Sequence, residues 1–235
     1  MRSSTKSSTK SHNIRTLTAV GVFSALAYVC CVVFHFKASF LSFDLKDAVM
    51  TVGAMFFGPV YGFAMSLVVS VIEAVTISDT GPYGFIMNVL SSTVFVCVGS
   101  LIYSKFRTMK GAVVGMISSC IAMVAVMLGA NLIITPYYMN TSVSTVAAMI
   151  PTLLLPFNAT KALFNASVVF LIYKPVATAV RSAGFVPAGK DSELITPKSS
   201  KKNVRQVIII AASLVIAVLC LLFFFLKLNG TVELG

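Results

Sequence analysis

Charge is scarce in this chain, and its scarcity is the first constraint on what the molecule can be. Asp, Glu, Lys and Arg together make up 11% of the 235 residues, about half the roughly 25% usual in soluble domains. A water-soluble globule of this length could not cover its surface with so few charges. Acidic groups are rarer still, seven against 18 Lys and Arg, and there are two histidines, His12 and His35. No H-E-x-x-H, nucleophile elbow or paired-carboxylate motif occurs, which removes the common hydrolytic chemistries. The five cysteines, Cys30, Cys31, Cys97, Cys120 and Cys220, all fall in apolar stretches without metal-ligand or disulfide-framework spacing, and read as small packing residues. Gly184 to Lys190 has the G-x-x-x-x-G-K skeleton of a phosphate-binding loop, but Asp191 follows where Ser or Thr is required. Its carboxylate would repel phosphate, and no strand precedes the motif. Nothing in the sequence therefore points to an enzyme, a resident cofactor or a metal.

Apolar residues are what the chain has in excess: 57% of the sequence, with a mean hydropathy of +0.94. A bilayer core of about 30 Å takes about 20 apolar residues per helix, and the runs divide accordingly. Residues 17–36 form a first span behind a polar, basic tail, 1–16, that repeats Ser-Ser-Thr-Lys at 3–6 and 7–10. The run is longer than a signal-peptide core and lacks a small-x-small exit, so it reads as a retained helix. Gly58-Pro59 splits the next run into a short helix, 48–57, and a fuller one, 60–77. Spans 83–103, 112–134 (stopped by Pro136), 147–173 and 207–226 follow. The organisation is thus a tail 1–16, a six-helix membrane domain 17–175, a basic flexible linker 176–205, a seventh membrane helix 206–227 and a tail 228–235. The short second helix crosses only if its flank at 40–47 extends it.

The net charge of +11 does not indicate nucleic acid, because the charges lie between the apolar segments. With strictly alternating spans, fourteen basic residues fall on one side and three, Lys37, Lys46 and Lys227, on the other, while Lys161 lies within the membrane. The positive-inside rule then puts the N-terminus in the cytoplasm of a multi-pass cell-membrane protein and, with seven crossings, the C-terminus outside.

Ionisable and amide side chains inside a membrane are costly and are site candidates by default. Asn158 and Lys161 are three residues apart and share a helix face; the lysine either snorkels outward or faces a polar ligand. Asn131 lies at the matching outward depth and either bonds a neighbouring helix or joins the site. Asn88 stands between packing and binding. Glu73 is either a proton-coupling group or, in the simpler reading, a hydrogen-bonded structural carboxylate. The outer loop, residues 37–47, alternates apolar and polar residues as a strand-like flap would, with Phe40, Leu41 and Phe43 offering apolar surface to a flat aromatic ligand; the other reading is a loop dipping into headgroups. Gly21 and Ala25 form a small-xxx-small pair that permits close helix approach. Asn-x-Ser/Thr occurs at Asn140, Asn158, Asn165 and Asn229, two of them inside spans, and carries no information.

These residues together resemble a family. Phe40-Leu-Ser-Phe-Asp-Leu-Lys-Asp47, Phe57-Gly-Pro-Val-Tyr-Gly62, Gly81-Pro-Tyr-Gly-Phe-Ile-Met-Asn88, Asn131 with Thr135-Pro-Tyr-Tyr138, and Leu155-Pro-Phe-Asn-Ala-Thr-Lys161 are similar to elements of the substrate-binding S components of energy-coupling factor (ECF) transporters, in particular the riboflavin-specific group. The likeness covers about residues 14–175. It implies an all-α integral membrane fold, a six-helix S-component bundle, to which this chain adds a C-terminal transmembrane helix. It further implies an outward-facing riboflavin pocket under the first external loop, with Asn131, Asn158, Lys161 and Asn88 as polar contacts and Leu41, Phe43 and Tyr137 beside them. Gly21 and Ala25 would meet a transmembrane coupling subunit, and two cytoplasmic ATPase subunits would complete the transporter. Riboflavin would be cargo and not a cofactor, released inward as the S component topples. Gly21 replaces the first alanine of the family's alanine-x-x-x-alanine pair, and the seventh span has no counterpart in the family body.

Overall fold

The computed structural model describes residues 4–185 and 200–232. In chain order the elements are α1 (Ser4–Val33), strands β1 (Phe36–Ala38) and β2 (Leu41–Phe43), α2 (Lys46–Phe57), α3 (Pro59–Thr76), α4 (Gly81–Phe106), α5 (Met109–Met139), the short α6 (Val143–Ala148), a π-helical turn (Ile150–Leu154), α7 (Leu155–Ser182), α8 (Ser200–Lys227) and β3 (Thr231–Val232). Among the described residues, six helices are long and apolar enough to cross a membrane: α1 from Ile14, α3, α4, α5, α7 with its preceding turn, and α8 from Gln206. Their outward faces carry Val22, Leu26, Val29, Val60, Val75, Ile117, Ile121 and Ile133 at 45–82% exposure, and lipid accommodates such surface where water would not. The protein is an all-α, multi-pass membrane protein.

α2 is the exception. Its 12 residues rise about 18 Å, against about 27 Å for the 18 residues of α3. Of the flank at 40–47 only Lys46 and Asp47 join α2; the part up to Phe43 folds into the β1–β2 hairpin, paired Phe36↔Phe43 and Ala38↔Leu41. The end of α3 returns to that hairpin, where Lys37 bonds Asp79 in the turn before α4. α2 therefore starts below the level at which α3 ends, and the hairpin dips to meet it. Every residue of α2 from Lys46 to Met55 is buried. The α2–α3 break sits at Gly58, whose φ of 105° suits only glycine, and Pro59 opens α3 at a position where its missing N–H costs nothing.

Several boundaries move from their sequence-based places. α1 continues back to Ser4, so most of the tail is helical, and it stops at Val33 because the next residues are strand. Pro136 lies inside α5, which runs on to Met139 and ends at Asn140 in the left-handed region; the proline removes one late backbone bond without ending the helix. α5 begins at Thr108, whose side chain accepts from the Gly111 N–H, the usual N-cap arrangement. The sixth span divides into α6, the π turn and α7, with Pro151 and Pro156 at the junctions. α7 carries Pro175 internally and reaches Ser182, so the first part of the basic linker is helix. Residues 186–199, which hold the rest of that linker and most of the phosphate-loop look-alike, lie outside the described residues. α4 and α5 cross closely at Gly99 and Gly115, where a Cβ on Gly115 would stand 3.0 Å from the Gly99 carbonyl, the close approach that small residues allow in membranes.

The C-terminal part differs most from a simple anchor and tail. α8 lies along α7, and β3 adds to β1, pairing Phe36↔Val232 and Lys37↔Thr231. The result is a three-stranded sheet ordered β2-β1-β3. The C-terminal strand thus sits at the same end of the bundle as the hairpin.

Candidate functional site

Under the hairpin, between α4, α5 and α7, lies a cavity with an empty volume of about 620 Å³, its open mouth included. Phe40, Leu41 and Ser42 roof it; Tyr83, Met87, Asn88 and Ser91 come from α4, Met127, Asn131 and Tyr138 from α5, and Phe157, Asn158 and Lys161 from α7. Asn88, Asn131, Asn158, Lys161 and Leu41 are therefore brought to one cavity from four elements. Phe43 and Tyr137 are not. Phe43, at the far end of β2 from Phe40, is fully buried in an aromatic cluster, with ring centroids 5.0 Å from Phe164 and 6.3 Å from Phe157. Tyr137 is 74% exposed on the outside of α5, and its neighbour Tyr138 faces the cavity instead.

The amides of α5 and α7 are each held locally. The Asn131 Nδ2 donates to the Met127 carbonyl at 2.7 Å, and Thr135 donates to the Asn131 Oδ1 at 2.8 Å. The Asn158 Nδ2 donates to the Leu154 carbonyl at 2.7 Å, an acceptor at the end of the π turn. Each bond uses one of two amide hydrogens, and the other remains for a ligand. Lys161 does not snorkel. Its ammonium donates to the Ser42 carbonyl at 3.0 Å and to Asp44 Oδ2 at 2.9 Å. Two of its three donors thus tie α7 to the roof.

Behind the cavity is a buried charge network that sequence reasoning missed. Glu73 accepts from the Asn88 Nδ2 at 2.8 Å and is ion-paired through its other oxygen to Lys46, as the structural-carboxylate reading of Glu73 expected. Lys46 in turn lies 3.6 Å from Asp44, which continues the chain to Lys161. Asp47 accepts from Ser92 at 2.5 Å. Asn165 brackets the network: its Oδ1 accepts from the Ala48 N–H at 2.9 Å and its Nδ2 donates to the Asp44 carbonyl at 3.0 Å. Lys46 is 0% exposed, so it does not belong with the external loop charges among which alternating topology counts it. Cys31, Asp44 and Glu73 have ligand atoms within 4.8 Å of one another, but the Lys46 ammonium already supplies the cation between the two carboxylates. The signal was present in the sequence: a helix too short to span must be buried, so the charges in and before its first turn need partners inside the bundle. The partners themselves, 27 and 117 residues away, carry no local mark.

On α1, Gly21 and Ala25 are exposed, in line with Val22 and Leu26, while Ala19, Phe23 and Ala27 face the core. A Cβ on Gly21 would meet nothing within 4 Å.

Comparison with known proteins agrees with this architecture. The riboflavin transporter FmnP of Bacillus subtilis (strain 168) is 24% identical over 185 residues, covering 72% of this chain and 97% of that protein. The riboflavin transporter RibU of Staphylococcus aureus (strain TCH60) is 26% identical over 172 residues, covering 69% and 90%. The solved S component of a bacterial ECF transporter shares the fold with a TM-score of 0.62, at 24% identity, over 72% of this chain and 99% of that one. Residues 15–173 match the family described as ECF transporter, substrate-specific component, and the chain belongs to that family.

Proposed function

We propose that this chain captures riboflavin in the cavity beneath the hairpin and delivers it to an ECF module made of a transmembrane coupling subunit and two cytoplasmic ATPases. The observation that carries the reading is the convergence of Asn88, Asn131, Asn158 and Lys161 on one cavity roofed by Phe40 and Leu41. A flat ring system with a polar edge is served by apolar faces and in-plane donors together. The two relatives named as riboflavin transporters support the same cargo.

An outward opening is supported by charge. Lys105, Arg107 and Lys110 lie exposed where α4 meets α5, about 39 Å of helix from the hairpin end of the 26-residue α4. Under the positive-inside rule that end is cytoplasmic and the cavity faces outside. Gly21 and Ala25, exposed on α1, suit contact with the coupling subunit, and ATP hydrolysis belongs to the partner chains.

Titration of the purified protein against riboflavin tests the cargo. Quenching of flavin fluorescence with submicromolar affinity is expected, together with a large ligand-dependent rise in melting temperature. A folded preparation that neither quenches riboflavin nor is stabilised by it would sink the proposal, and mass spectrometry of ligand released on denaturation would then identify the true cargo.

A further inference from the structure

We infer that the C-terminal segment, α8 with β3, is a clamp on the hairpin that roofs the cavity, and that Phe224 and the Thr231–Val232 strand are positioning residues for bound cargo. The clamp rests on the cavity being the riboflavin site, but its structural half can be tested without any ligand. The family match ends at residue 173, before α8 begins.

Two separate contacts make the clamp. The first is aromatic. Phe224 of α8 is fully buried, with its ring centroid 4.6 Å from Phe43 and 6.3 Å from both Phe36 and Phe157. Phe225 meets Phe36 edge-on at 5.5 Å. Phe36 and Phe43 are directly opposite one another in the hairpin, so Phe224 touches both strands at their base. An anchor helix has no need of this: the rest of α8 presents Leu214, Val215, Val218, Leu219 and Leu222 outward at 48–58% exposure. The second contact is backbone. The chain turns after Leu228, the Gly230 N–H donates to the Phe224 carbonyl at 3.2 Å, and β3 then fills the edge of β1 that β2 leaves open. The turn passes so close to the Phe224 ring that a Cβ at residue 230 would collide with it.

A hairpin of two three-residue strands is marginal alone. This one carries Phe40, Leu41 and Ser42 over the cavity, so whatever steadies it also sets how readily the cavity opens. Within the described residues it is held inside by Lys161 on the Ser42 carbonyl, at its flank by Lys37 on Asp79, and on its far edge by α8 and β3. The second and third ties use no residue of the cavity lining, and the third can be removed as a unit by ending the chain.

Hydrogen exchange of the hairpin amides, residues 36–43, and the riboflavin dissociation rate are measured on the full chain, on a chain stopped after Leu228, and on Phe224→Ala. The stop removes β3 and leaves α8 whole, so it stays informative if Phe224→Ala fails to fold. Leu219→Ala, on the exposed face of α8, serves as the control. Loss of strand pairing or of the aromatic contact is expected to speed hairpin exchange and riboflavin release roughly fivefold to tenfold, with the association rate nearly constant and Leu219→Ala silent. Unchanged exchange in the Leu228-stop chain overturns the clamp, as does faster exchange with an unchanged dissociation rate. A full chain that binds no riboflavin but whose hairpin loosens in the variants sinks the cargo assignment and leaves the clamp standing.

Discussion

The two ends of the bundle each hold a cavity, with empty volumes, open mouths included, of about 620 Å³ beneath the hairpin and about 500 Å³ at the opposite end. Their walls are not alike. The hairpin-end cavity gathers three asparagines, a lysine, serines, threonines and tyrosines. The other is lined mainly by Met55, Met109, Ala112, Val169, Phe170, Ile209 and Ile210, together with Tyr103, Tyr173, Lys174 and Gln206, and Tyr103 and Tyr173 share a hydrogen bond of 2.7 Å between their hydroxyls. The two cavities are set apart by these walls and by the structure behind them. At the hairpin end Asn88 and Lys161 are joined by a buried chain running Asn88–Glu73–Lys46–Asp44–Lys161, while Asn131 and Asn158 are held by local bonds. The opposite end is packed by methionines such as Met55 and Met116 around the Gly99–Gly115 crossing, which fills space but directs nothing.

The sharpest way to break this contrast is to cut the chain at its centre. Lys46→Met leaves Glu73 facing an apolar side chain and Asp44 with Lys161 alone. Removal of one partner from a buried pair costs about 3–5 kcal/mol, so a large fall in melting temperature in detergent is expected before any ligand is added. Pairing it with Glu73→Leu removes the orphaned charge and is expected to restore most of the loss. If Lys46→Met melts like the parent chain, the network is not holding the site together.

Next in size is the direct loss of a ligand donor. Asn131→Ala and Asn158→Ala remove amides whose helix-side bonds are local, so the apo protein is expected to melt within a few degrees of the parent. Each is expected to weaken riboflavin by about 1–3 kcal/mol, read by fluorescence titration. Ile210→Ala at the opposite cavity and Tyr137→Ala on the outer face of α5 are expected to stay within about 0.5 kcal/mol. Equal losses at both cavities would erase the distinction drawn between them.

How much of this was legible in the sequence follows from the range of each force. Membrane integration and the long helices were plain, because bilayer thickness acts on every run of apolar residues separately. Asn131, Asn158 and Lys161 stood out because a polar group in an apolar run is locally anomalous. The hairpin showed as alternation at 37–47. Phe43 falls outside the cavity lining although it shares a strand face with Leu41; it is taken up by Phe157, Phe164 and Phe224, and that depends on where α7 and α8 lie. The partnership of Lys46 with Glu73, and of β3 with β1 across 194 residues (Lys37 to Thr231), depends on tertiary pairing that leaves no periodic trace. The sequence shows α8 only as one more membrane helix for the same reason, since Phe224 looks like its apolar neighbours until Phe43 is placed against it.

The smallest expected effect concerns the exposed tie at the hairpin's flank, and pH isolates it. Lys37 donates to Asp79 and lends it a positive charge, with a further contribution from His35, and this holds the Asp79 carboxyl below its ordinary value. A lowered folded-state value means that the tie contributes fully above the ordinary carboxylate range of about 4 and is lost as pH falls through the lowered value. Asp79 is exposed, so water and salt screen the pair and its worth is small. In the parent chain, hairpin exchange corrected for its intrinsic pH dependence is expected to rise by less than about twofold below that range. Asp79→Asn lacks the titrating group, so it is expected to show the faster rate already at neutral pH and no further rise on acidification. Buried Asp44, Asp47 and Glu73 are common to both chains, and any change they cause cancels in the comparison. A rise of equal size in both chains would assign the acid sensitivity to the buried network and leave the flank tie without a measurable share in holding the roof.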